Sequence, residues 1–181
     1  MFRAFAALAL ASATTLAGAA TATSVTHAGL ESATPWFERV TVTINSEGQP
    51  RSCLFESSVT PNDPKSCDVD ASPAAQAKLS SSSAKDQYTR ITFERRFTPG
   101  TESSTEPPAG DMLLGKQVLA LAIGAKGTVE DCKIMSTSGD MQPGYGCKEA
   151  STEKFQAAAR TGPTRQGTMT ILVYGHMEHV V

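Results

Sequence analysis

Val40-Thr-Val-Thr-Ile44, followed by Gly48, Cys53 and Cys67, returns further along the chain as Leu119-Ala-Leu-Ala-Ile123, followed by Gly127, Cys132 and Cys147. Val40, Val42, Ile44, Gly48 and Cys53 each have a counterpart 79 positions on, and the second cysteine and the closing strand recur about 80 positions on. A shared offset at five positions of like chemistry marks an internal repeat. Such a repeat sets the domain plan before any single element is read.

Within each copy the pattern reads as strand, turn, strand, helix, strand. Phe37 to Ile44 alternates, with Val40, Val42 and Ile44 on one face and Arg39, Thr41 and Thr43 on the other, the two-residue period of a half-buried strand. Asn45-Ser-Glu-Gly48 is a hairpin turn, and Pro50 to Val59 is the second strand. Ser72-Pro73 opens a short helix through Leu79, because Ser caps and Pro is tolerated in a first turn. Tyr88 to Phe97 closes the unit. Thr98 to Asp111 is rich in Pro, Gly, Ser and Glu and separates the copies. The second copy then gives strands over 116–124 and 128–136, a loop over 138–146, a helix over Ser151 to Ala159 and a last strand over Gly167 to Tyr174. The expectation is an α+β fold of two tandem β-β-α-β units, 29–98 and 112–177, each an antiparallel meander with one helix across a face, joined by a linker at 99–111 and followed by a tail at 178–181.

Four cysteines allow three pairings, and the duplication selects Cys53–Cys67 with Cys132–Cys147. Each bridge would tie a second strand to the entry of a helix. A unit of this size has a marginal core, and closing a loop of about 15 residues contributes roughly 3 kcal/mol in the chain-entropy model. Zinc binding or dithiol redox chemistry calls for closer Cys-x-x-Cys spacing.

At the N-terminus, Arg3 precedes an uncharged, alanine-rich run from Ala4 to Ala20 and the small residues Ala20-Thr-Ala22. This is the pattern of a signal peptide over residues 1–22, with cleavage as late as 28. An uncleaved inner-membrane anchor is the alternative. Losing Arg3 moves the formal charge from -2 to -3, and no basic cluster suggests nucleic acid as a partner. All four cysteines lie in the exported part, as structural disulfides in an oxidising compartment do. A periplasmic location, in a Gram-negative bacterium, follows as the expectation.

The strand, glycine turn and cysteine-bearing strand, with Gly127, Val129, Cys132, Ser136, Ser138, Gly139 and Cys147, resemble the TonB C-terminal domain family, in particular its divergent cysteine-containing periplasmic members. The first unit carries a weaker version in Gly48, Cys53, Ser57, Ser58 and Cys67. The chain departs from the family pattern at Met141-Gln-Pro-Gly144 and at Ala159-Arg-Thr-Gly-Pro163. The resemblance implies a non-enzymatic module that binds a periplasmic or outer-membrane protein by pairing an exposed strand edge. It also implies, as an alternative, a membrane-anchored transducer driving outer-membrane transport.

Tests for chemistry give little. His176-Met-Glu-His179 has metal-ligand types at helical spacing, but reads more simply as a solvated tail. No Gly-x-Ser-x-Gly elbow is present. Glu94-Arg-Arg96 reads as solvent-facing charge rather than a binding patch, and Trp36 as a core anchor or an interface residue. No catalytic residue, cofactor, metal or small-molecule substrate is expected; a periplasmic enzyme or enzyme inhibitor is the remaining alternative.

Overall fold

The structure is a computed structural model and describes residues 30, 32–47, 49–60, 64–68, 88–101, 106–156 and 163–177. Its strands are β1 (Trp36–Ile44), β2 (Pro50–Ser57), β3 (Lys65–Ser66), β4 (Tyr88–Pro99), β5 (Met112–Ile123), β6 (Val129–Gly139) and β7 (Arg165–Met177), with one short helix, α1 (Cys147–Ala150). They form one seven-stranded sheet in the order β3-β2-β1-β4-β7-β5-β6, and every pair is antiparallel. The first half runs β2-β1-β4 and the second runs β6-β5-β7, so the two halves have the same internal order. Their last strands, β4 and β7, pair along their whole length with Phe93 opposite Val173, residues 80 apart in sequence.

Alternation along each strand sends one set of side chains to an inner face. Trp36, Val42, Ile91, Phe93, Phe97, Met169, Ile171, Val173, Leu119 and Leu121 are all buried there. The main cluster joins Phe97, Leu119, Leu121, Ile123, Met169 and Ile171 to Leu30, Ala150 and Phe155, which come from outside the sheet. The Phe97 ring stacks on Trp36 at 5.7 Å and meets Phe155 at 5.2 Å. Gly167 makes room for it, since a Cβ there would stand 2.3 Å from the Phe97 ring.

The expected α+β class is corrected. The described residues are 62 % strand and 4 % helix, so this is a mostly antiparallel sheet and not two units each with a helix across one face. In the second half the helix expected over Ser151 to Ala159 is replaced, over its described part, by α1 four residues earlier. Glu149 turns back to accept the Gly146 N–H at 2.9 Å, which opens the turn. Ser151 and Thr152 then give their hydroxyls to the carbonyls of Lys148 and Glu149, the local side-chain bonding that competes with helix continuation. Beyond them Phe155 N–H donates to the Gly127 carbonyl and Gln156 N–H to the Leu30 carbonyl, pulling the chain into extended bridges. The helix expected over Ser72 to Leu79, the turn residue Gly48, the signal segment 1–22 and the tail 178–181 lie outside the described residues. Among the described residues no helix is long and apolar enough to cross a membrane.

Several strands outrun their expected ends. β6 continues past Ser136 through Ser138 and Gly139, where a loop was expected, because Gly139 pairs with Gly115. β5 begins at Met112 and β7 extends to Met177, taking His176 out of the expected tail. Lys65 and Ser66, between the expected second strand and the expected helix of the first unit, pair with β2 as β3.

Candidate functional site

The outer strand of each half carries one disulfide cysteine. Cys53 of β2 is joined to Cys67 and Cys132 of β6 to Cys147, with Cα–Cα distances of 5.1 and 5.5 Å. The second bridge fixes α1 and the segment around it against the inner face. Gly127 shapes the β5–β6 hairpin at φ +77°, and a Cβ there would stand 2.0 Å from the Phe155 carbonyl oxygen. That is a position for glycine on both counts. Val129 packs against the main cluster at the start of β6. Of the motif residues, then, Gly127, Val129, Cys132 and Cys147 hold the segment over the core, while Ser136, Ser138 and Gly139 lie exposed along β6.

β6 is the end of the sheet. It pairs with β5 on one side, and among the described residues no strand lies on the other. An edge strand of this kind directs alternate N–H and C=O groups outward. Register shifts leave Glu130 and Met135 without a partner on β5, the mark of two bulges. The stretch up to Lys133 adds the charges of Glu130 and Asp131 to the first bulge, features that discourage pairing, while the second bulge, at Met135, carries no charge. From Ile134 to Gly139 there is no charge, and Ser136 to Gly139 pair with β5 without a shift. Ile134 and Met135 are 52 % and 58 % exposed, the largest values among the exposed large apolar side chains.

A second feature lies on the inner face. A cavity of about 510 Å³ is bounded by Val40, Phe55, Phe93 and Ile171 of the sheet and by the loop Gln142 to Tyr145, with Glu38 and Arg95 at its polar side. Arg95 Nε and Nη2 both reach Glu38 Oε2, at 2.7 and 2.5 Å. Arg95 Nη1 reaches Glu153, whose carboxylate also accepts the Tyr145 hydroxyl at 3.0 Å. The guanidinium lies between two rings, 5.7 Å from the centre of Trp36 and 5.6 Å from that of Tyr145. Burial works against its charge, but Glu38 and Glu153 outweigh that and hold Arg95 above its ordinary value. Burial and the neighbouring Glu153 likewise push the Tyr145 hydroxyl above its ordinary range.

The charge at 94–96 is not the solvent-facing run expected of it. Glu94 is 2 % exposed on the outer face, accepting the Tyr174 hydroxyl at 2.6 Å and paired with Arg96. Arg95 points to the inner face into the cluster above. His176 Nδ1 lies 2.8 Å from Asp111 Oδ1, and Arg90 shares that oxygen at 3.2 Å, while Glu178 and His179 lie outside the described residues. Among the described residues no group of three or more His, Cys, Asp or Glu is placed to hold a metal ion. Spacing could not have found the Glu38–Arg95–Glu153 cluster, because its members come from three separate elements. The one visible signal was a charged residue at a position whose period-two neighbours, Phe93 and Phe97, are core.

In comparisons with family models, with curated proteins and with solved structures, nothing matches this chain. The resemblance to the TonB C-terminal domain family therefore rests on the residues that carry it.

Proposed function

We propose that the protein is a non-enzymatic periplasmic binding module whose β6 edge accepts an extended segment of another periplasmic or outer-membrane protein. One observation carries the reading: an eleven-residue strand ends the sheet with its outer side unpaired among the described residues. Main-chain hydrogen bonds along Ile134–Gly139 would supply affinity, and apolar side chains beside Ile134 and Met135 would supply selectivity.

The test selects extended peptides from a random library against the full chain with its disulfides intact, then maps amide exchange in the complex. Protection concentrated on Ile134 to Gly139, together with weakened binding by Met135→Lys, is the expected result. Protection elsewhere, or binding indifferent to Met135→Lys, would reject the edge as the site.

A further inference from the structure

The Glu38–Arg95–Glu153 cluster does not balance. Two carboxylates face one guanidinium, which leaves one net negative charge at the polar side of an otherwise apolar cavity. Arg39 and Glu94 also border the cavity, but each is matched, Arg39 by Glu56 and Glu94 by Arg96. Of the two carboxylates, Glu38 is the one that lines the cavity. Both Arg95 contacts to Glu38 fall on Oε2, which leaves Oε1 able to accept from a further donor. Oε1 is not among the buried atoms without a partner, so water reaches it, and an ammonium that displaces this water inside an apolar pocket gains a charge-assisted hydrogen bond stronger than a neutral one. The space beside it has the volume and apolar walls of a small-molecule site.

We propose that this cavity binds a small apolar molecule bearing a single ammonium group, with the ammonium donating to Glu38 Oε1 and the apolar body lying against Val40, Phe55, Phe93 and Ile171. Tyr145 at the rim adds an aromatic ring beside the cluster, a favourable neighbour for a cation. The cavity lies over β1, β2, β4 and β7, and β6 is not among its walls. This inference is independent of the strand-edge reading, and either can fail alone.

Three probes with one apolar body and different heads separate the alternatives: 2-phenylethylamine, 2-phenylethanol and 3-phenylpropionate, each titrated calorimetrically into the full, disulfide-intact chain. Trp36 is the only tryptophan and lies beside Arg95, so its fluorescence reports on the same place. The amine should bind about tenfold or more tightly than the alcohol, and the carboxylate should bind weakest. Glu38→Gln should remove that preference while the alcohol's affinity holds. Because Glu38 also supports Arg95, a second variant, Val40→Phe, fills the cavity without touching the ion pairs and should abolish binding of all three. Equal or tighter binding of the carboxylate overturns the proposal, as does no binding of the amine at millimolar concentration. So does a lysine-containing peptide that binds at Glu38 where the free amine does not.

Discussion

β2 and β6 are each the second strand of their half, and each holds a disulfide cysteine. β2 has eight residues, and β3 covers it at Leu54 and Phe55. β6 has eleven, and at Lys133 and Ile134, the positions 79 further on, nothing described lies outside it. The inner faces differ in the opposite sense. Over the second half, Ala150 and Phe155 complete a dense cluster, while the cavity lies toward the first half, beside Val40 and Phe55. Among the described residues, similar strand patterns thus give one covered edge beside an open pocket and one filled face beside an open edge. In the second half the segment after the second strand, from α1 to Phe155, fills that face.

The largest expected effect tests the packed side. Phe97→Ala should cost about 3–5 kcal/mol in denaturant unfolding, because Trp36 and Phe155 both lose a fixed ring neighbour. Phe55→Ala, at the partly exposed cavity wall, should cost much less. Equal losses would erase the contrast between the faces.

Next come the bridges. With sequence separations of 15 and 14, replacing either cysteine pair by serine should cost about 3 kcal/mol. Their local effects should differ: loss of Cys132–Cys147 alters Trp36 fluorescence by freeing Tyr145 and Glu153 from Arg95, and loss of Cys53–Cys67 speeds amide exchange at Leu54 and Phe55. Gly127→Ala should follow at about 2 kcal/mol, since both its backbone angle and the Phe155 carbonyl oppose a side chain.

The smallest effect concerns alkaline pH. Tyr145 has its folded pKa raised, so its contribution is complete below the ordinary tyrosine value of about 10 and is lost as pH rises through the folded value. Tyr145→Phe should flatten the loss of stability above pH ~10, read from unfolding midpoints at successive pH values. An unchanged slope would detach Tyr145 from the Arg95 cluster.

Much of the strand content was legible because a two-residue period is a direct consequence of backbone geometry. Val40, Val42, Leu119 and Leu121 read correctly for that reason, and the offset between copies indicated which cysteines share a unit. Pairing between distant strands leaves no such local mark. Nothing in Tyr88 to Phe97 says that its neighbour is β7, yet that contact buries Glu94 beside Leu172 and Tyr174. The helix over 151–159 was misread because Glu153, Lys154, Gln156 and the alanines that follow have high helix propensity, but Glu153 is claimed by Arg95 and Phe155 by the core. The open edge was a family expectation, whereas the cavity had no sequence signal.

The two-residue strand β3 limits how far the sheet can grow. A sheet open at both ends can add copies of itself without stopping, the geometry of a fibre. Here Lys65 and Ser66 blunt one end and the disulfide at Cys67 holds them near it. Among the described residues the β3 end offers two residues where β6 offers eleven, so a copy joined at β6 meets no edge of matching length at the other end.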